Sequence, residues 1–230
     1  MGRPAKGYFH PETGERLPGV TTVIGLLDKP ALVGWAGKLC AEAGWQAAKR
    51  HEGVPYWRDI CYGKRDKAAS DGTRAHDLFE RLLNGEDVTR SEDDSDGAWN
   101  AFENAKAWKE GLSIEFKVWP HERPLVDVGI GFAGTPDALG KEPDGTIRIC
   151  DWKTGGVYPE QVIQMAAYRH LLKVVEGIEA KGAHLVRFHR EHGDFHHHHY
   201  ADDALDLGWK CFKELLPLYR NLKKLKERTK

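Results

Sequence analysis

Ile149-Cys150-Asp151-Trp152-Lys153-Thr154-Gly155 is the stretch on which the reading of this chain turns. It ends a β-prone run, Thr146 to Trp152, that follows a Pro143-Asp144-Gly145 turn. Side chains two apart in a strand share a face, so Asp151 and Lys153 leave the strand end together. Taken alone, this string suits a structural ion pair as well as it suits a reactive site.

Working outward, Gly134-Thr135-Pro136-Asp137 places a second carboxylate at the end of the preceding strand segment, Gly131 to Leu139. The spacing to Asp151 is long enough for a hairpin to set the two strands side by side. Two carboxylates meeting at strand ends, with a lysine beside them, suit a hard, oxygen-seeking dication and a phosphate. The metal lowers the pKa of a bound water. The lysine holds that water or stabilises charge on phosphorus.

Two helical pairs flank these strands. Gly72 and His76 are four apart and share a face, as are Gln164 and Tyr168. Glycine permits close backbone approach and a neutral imidazole can ligate a metal, although a lone helical histidine is more often structural. The Gln/Tyr pair by itself is weak evidence.

In this order the elements resemble the RecB-type and phage-exonuclease branch of the PD-(D/E)xK nucleases: GxxxH at Gly72 to His76, a glutamate at Glu115, GxxD at Gly134 to Asp137, DxK at Asp151 to Lys153, and QxxxY at Gln164 to Tyr168. Leu17 to Ile24, Lys29 to Leu32 and Trp35 extend the likeness towards the N-terminus. The resemblance implies metal ligation by His76, Asp137, Asp151 and the Trp152 carbonyl, with Lys153 as the catalytic lysine. Gln164 and Tyr168 would position the lysine, the DNA backbone or both. Glu115 either supports the site or faces solvent on the first strand. The expected cofactor is Mg²⁺ or Mn²⁺. Some relatives carry a four-cysteine iron–sulfur cluster, but Cys40, Cys61, Cys150 and Cys211 are scattered and none is expected here. They read as free thiols in a reducing compartment.

Periodicity predicts helices over Ala31 to Arg50, Tyr56 to Leu83 with a break near Ser70 to Gly72, Ala98 to Glu110, Pro159 to Val175, and Ala204 to Arg228. Asp28 is the expected cap of the first. Strands are expected at Ser113 to Trp119, Gly131 to Leu139 and Thr146 to Trp152, with a hairpin of Ala183 to His189 and Phe195 to Ala201. The fold class is therefore α/β (α+β): a mixed central sheet flanked by helices. The resemblance makes this a restriction-endonuclease-like core with an N-terminal helical lobe. The 230 residues read as a single nuclease domain, with a lead-in and lobe over 1–111, a catalytic sheet over 112–201 and a closing basic helix over 202–230.

Net charge is −1, so the chain is no polycation, but its distribution is uneven. Residues 76–145 hold 7 Lys/Arg against 16 Asp/Glu, whereas 146–230 hold 15 against 11. Glu86 to Asp96 reads as a solvated acidic loop. His196 to His199 reads as a solvated hairpin, since alternate residues of a strand face opposite sides and cannot make one compact metal site. Apolar runs such as Val20 to Leu27 are too short to span a bilayer, and the first residues lack a signal-peptide pattern, so a cytoplasmic location is expected. Expected partners are DNA and a single-strand annealing or binding protein, with no membrane. The function expected is a DNA exonuclease in phage or bacterial recombination. The rivals are an endonuclease with the same site and a non-catalytic DNA-binding module.

Overall fold

The computed structural model describes residues 7–27, 29–53, 55–121 and 123–229, with the side chains of Pro30 and Ala31 left aside. Asp28, the expected helix cap, lies outside the described residues, as does Lys230 of the basic C-terminus.

The centre is a five-stranded mixed sheet. Its members are β3 (Glu115–Val118), β6 (Ala138–Lys141), β7 (Ile147–Lys153), β8 (Ala183–Phe188) and β9 (Phe195–Tyr200), in that spatial order. Only the β7–β8 pair is parallel, with Lys153 opposite Arg187. Its connection is α5 (Pro159–Glu176), as a parallel crossover requires. Two small hairpins stand outside this sheet: β1 (Tyr8–Phe9) with β2 (Arg16–Leu17), and β4 (Leu125–Asp127) with β5 (Phe132–Gly134).

Helices cover both faces. On one, α1 (Val20–Ile24), α5 and α6 (Asp202–Arg228) pack with Leu139, Ile149 and Leu185 of the sheet. On the other, α3 (Trp57–Leu83) and α4 (Asp96–Glu110) bring Leu78, Phe79, Phe102 and Trp108 onto Trp152, Val186 and Phe188. Phe79 meets Trp152 edge-on, with ring centroids 5.0 Å apart. Trp152 is thus the anchor of one face while its neighbours Asp151 and Lys153 serve the other side of the strand. The mixed sheet between helices matches the fold class expected from the sequence.

Several elements differ from expectation. Gly131 to Leu139 is two strands in two sheets, because Thr135-Pro136 interrupts the ladder, and proline cannot donate to it. Asp137 therefore precedes β6 instead of ending a strand. The strand β4 and the helix α1 were not anticipated. Helix α3 runs unbroken through Ser70 to Gly72. The acidic loop is not simply solvated: Asp94 is buried and accepts from Arg74 Nε at 2.5 Å and from Ser91 N at 2.8 Å. Ser95 caps α4 by accepting from Ala98 N.

In α2 (Pro30–Lys49) the stripe of Leu32, Trp35 and Leu39 is mostly unburied, with Trp35 38% exposed. Trp45 and Trp57 are 63% and 50% exposed, so these tryptophans are surface, not core. The four cysteines are free; the Cys40 and Cys61 sulfurs lie 3.6 Å apart. Among the described residues, no helix is long and apolar enough to cross a membrane.

Candidate active site

The register explains how the two carboxylates meet. Because β6 runs antiparallel to β7, with Ala138 opposite Cys150, the start of β6 lies beside the end of β7. Asp137 is held there by its backbone and its side chain. Its carbonyl accepts from Trp119 N at 3.0 Å, and its Oδ2 accepts from Trp152 N at 3.2 Å. Asp151 Oδ2 is buried against the Lys153 ammonium, and its Oδ1 accepts from Gln164 Nε2 at 3.2 Å. The same amide nitrogen reaches the Tyr168 hydroxyl at 3.1 Å. Gln164 thus holds Asp151, the residue paired with Lys153, from the α5 side.

His76 approaches from α3, its Nδ1 4.0 Å from Asp137 Oδ2, and the Trp152 backbone hydrogen-bonds its ring. His76, Asp137, Lys153, Gln164 and Tyr168 line one cleft of about 900 Å³, with Asp151 buried just behind Lys153. Glu115 is not brought there. It is exposed at the far end of β3, opposite Lys141, whereas the site end of that pair is Val118 opposite Ala138. A glutamate at the wrong end of a four-residue strand cannot reach the cleft, so the structure takes it out of the set.

Two motif glycines have steric reasons. A Cβ on Gly134 would stand 2.6 Å from the Tyr168 ring and 3.0 Å from Val20. A Cβ on Gly72 would stand 2.7 Å from Thr154 Oγ1. Each glycine lets a helix close on a strand end: α5 through Tyr168 and α3 through Thr154.

Electrostatics follow from burial. Desolvation pushes the Asp151 carboxyl up to about 6; Lys153 opposes this and the Asp137 carboxylate adds to it. Burial also works to raise Asp137, but His76, Lys153 and the Trp152 amide outweigh it and hold that carboxyl below its ordinary value. Burial would lower Lys153, yet the two carboxylates hold its ammonium above the usual lysine value. His76 is lowered to about 4, first by desolvation, so its imidazole is neutral at pH 7. Two carboxylates and one ammonium leave the buried group one negative charge in excess, beside a neutral imidazole. That donor set fits a divalent cation: a desolvated carboxylate already unfavourably charged gains most from one.

Sequence reasoning missed other members of the cleft. Thr21 of α1, Leu32 of α2, Ala68 of α3 and Thr154 all line it. The loop after β7 is pinned by Gln161, which accepts from Tyr158 N at 2.5 Å and donates to the Gly156 carbonyl at 3.1 Å. Gly155-Gly156 followed by Tyr158-Pro159 was the available signal, as a turn leading into a proline-started helix.

A comparison with curated proteins gives no match. A family model, that of the PD-(D/E)XK nuclease superfamily, matches residues 47–215 and so includes every residue of the cleft named above from α3 to α5. The chain belongs to the PD-(D/E)XK nuclease superfamily, nucleases that generally work with divalent metal ions such as Mg²⁺ or Mn²⁺.

Proposed function

We propose that the chain is a Mg²⁺-dependent DNA exonuclease of the RecB-type and phage-exonuclease branch, acting in DNA recombination or processing in the cytoplasm, with a single-strand annealing or binding protein as its partner. The observation that carries the reading is the convergence of His76 from α3, Asp137 from the start of β6, Asp151 and Lys153 from β7, and Gln164 and Tyr168 from α5 upon one cleft. The whole chain, 1–230, is read as one nuclease domain.

Asp137, Asp151, His76 and the Trp152 carbonyl would hold the metal, which when bound polarises the phosphodiester and acidifies water. The protein's own groups do the rest. Gln164 fixes the Asp151 carboxylate from behind by hydrogen bonding. The Lys153 ammonium, half-buried and kept protonated by two carboxylates, supplies a fixed positive charge where negative charge grows on phosphorus. A protonated lysine cannot itself take a proton, so its role here is electrostatic. Tyr168 stays a neutral phenol, since burial raises its pKa well above the usual value.

The exonuclease reading is supported by the other wall of the cleft. Leu32 of α2 and Ala68, Ala69 and Thr73 of α3 face the strand ends. A wall of helices opposite the carboxylates favours a strand threaded from a free end. The test is incubation of equal concentrations of end-labelled linear and closed circular DNA in Mg²⁺ and in EDTA. Progressive loss of linear DNA only, and only with metal, is expected. Rapid linearisation of the circle would reject the exonuclease reading and favour an endonuclease with the same site. Full activity in EDTA would reject the metal site.

A further inference from the structure

The β8–β9 turn holds a second cluster of ligating side chains that the nuclease site does not use. The Asp194 carboxylate lies between two imidazoles: His189 Nε2 is 3.8 Å from Oδ1 and His196 Nε2 is 4.0 Å from Oδ2. One ligand atom from each of the three lies within 4.8 Å of the others. The two His–Asp separations are too long for hydrogen bonds and about half an ångström beyond the roughly 3.4 Å between ligands of one tetrahedral ion, so side-chain rotation closes the set around a metal. His197 of the strand behaves differently. His184 Nδ1 meets His197 Nε2 at 2.8 Å and His184 Nε2 meets Glu142 Oε1 at 2.8 Å, so that face is closed by direct bonds.

We propose that His189, Asp194 and His196 form a binding site for a borderline transition dication, of which Zn²⁺ is the representative, separate from the nuclease metal. Two imidazoles with one carboxylate suit Zn²⁺ and its neighbours, whereas Mg²⁺ demands an oxygen shell. The backbone of the turn is already fixed. Asn104 of α4, itself buried, donates to the carbonyls of His189 and His192 at 2.8 Å each, and Asn100 donates to that of Arg190 at 3.1 Å. His192 stands next to His189, ring centroids 5.6 Å apart, as a further donor. The site takes only His196 from the run of four, in keeping with the alternation of a strand.

Its place gives it a purpose. β8 runs parallel to β7, and His189 lies two residues beyond Arg187, the partner of Lys153. An ion here ties the β8–β9 turn at the end of the sheet that carries the nuclease carboxylates.

The inference stands independently of the nuclease reading and is tested by calorimetric titration of the full chain with ZnCl₂ in excess Mg²⁺. One tight site is expected, with Zn²⁺ at a hundredfold excess over its Kd raising the melting temperature by about 5 °C or more. His189→Ala and Asp194→Ala should each weaken zinc by about 100-fold, more than removing a mere supporting group does. His197→Ser with His199→Ser should leave it within about threefold. Asp151→Asn, which disables the other site, should leave it unchanged. Zinc uptake that survives His189→Ala and Asp194→Ala, or that is lost with Asp151→Asn, overturns the proposal. So does uptake that follows the number of histidines and not their identity, which would mark adventitious binding by the run. The histidine and Asp194 variants sit on exposed or half-exposed positions, Asp151→Asn is a near-isosteric change at a buried one, and circular dichroism checks that each is folded.

Discussion

At the scale of single residues, the site was legible in the sequence to the extent that chemistry is carried by side-chain type and spacing. Asp137, Asp151, Lys153, His76, Gln164 and Tyr168 could be picked out because each is an unusual group at a periodic position, and all six line or back one cleft. Glu115 was misplaced because a strand's facing can be read from alternation, but which of its ends meets the site depends on register. We expect Asp137→Ala and Asp151→Ala to abolish cleavage, and Lys153→Ala to lower kcat by about 100-fold while DNA binding in EDTA persists. A Lys153→Ala enzyme with the parent's kcat would contradict an electrostatic role. Gly134→Ala should cost about 1–3 kcal/mol in chemical denaturation, since its Cβ would strike the Tyr168 ring with Val20 behind it. Asp94 offers a pH test. Arg74 holds its carboxyl down to about 2, so its stabilising effect is complete above its ordinary value near 4 and disappears as pH falls towards 2. The melting-temperature gap between the parent and Asp94→Asn should therefore be widest at neutral pH and close by about pH 2. A constant gap would mean that Asp94 acts through packing alone.

At the scale of elements, most helices and four of the five central strands, β3, β7, β8 and β9, could be read from the sequence pattern, and the failures have definite causes. Val20-Thr21-Thr22-Val23-Ile24 is rich in β-branched residues, which hid the short helix α1; its partner is tertiary, with Val20 and Val23 buried in the core beside α5. Gly131 to Leu139 looks continuous by composition, and only Pro136 hints at the division between two sheets. Leu32 and Trp35 recur at helical spacing on α2 yet remain largely uncovered, since periodicity reveals a face and never its partner. The approach of α3 to β7 is open to test. Gly72→Ala should displace α3 at Thr154 and lower activity, and adding Thr154→Ala should restore it, because the Thr154 Cβ lies an ordinary 4.0 Å from the added methyl position. Failure of the second change to rescue the first would mean that Gly72 matters for another reason. Near the other end of α1, Arg16 of β2 and Arg220, Lys223 and Lys224 of α6 line a second cleft of about 790 Å³, to which Thr22 also contributes. Thr21, the neighbouring residue, lines the first cleft, so α1 stands between the two. Lys223→Glu with Lys224→Glu should weaken DNA binding for all sequences alike and flatten its dependence on salt by about 2 units of slope or more. An unchanged salt slope would exclude these lysines from the DNA path.

For the whole molecule, the sheet with its two helical layers supplies a nuclease core, and what lies outside it should decide how nucleic acid reaches the cleft. Helix α3 belongs to both parts. Its C-terminal half packs Leu78 and Phe79 onto the sheet, while its first turns carry an exposed aromatic patch. Tyr56, Trp57 and Tyr62 form that patch, with neighbouring ring centroids 6.0 and 6.3 Å apart. The Arg58 and Arg65 guanidinium groups lie over Trp57 and Tyr62 at 5.3 and 4.5 Å. Aromatic faces interleaved with arginine suit stacking on bases with charge for the backbone, and any base can occupy them. A protein that leaves such rings uncovered forgoes their burial, at a cost of about 1.5–3 kcal/mol for each large apolar side chain. Trp35, 38% exposed, stands one turn along α2 from Leu32, which lines the cleft. Removal of a stacking ring should lower affinity for a single strand by about 10-fold, from the stacking free energy of one base. We therefore predict that Trp57→Ala and Tyr62→Ala each weaken binding of a labelled single strand, measured by fluorescence anisotropy in EDTA where cleavage is off. In Mg²⁺ the same variants should raise KM and leave kcat near the parent's, because the carboxylates and Lys153 are untouched. They should also release longer products, as a strand held less firmly leaves between cuts. Parental affinity and product length in both variants would assign the lobe a purely architectural role. A fall in kcat without a change in KM would mean that α3 transmits the substitution to His76, so that the lobe and the core act as one rigid element.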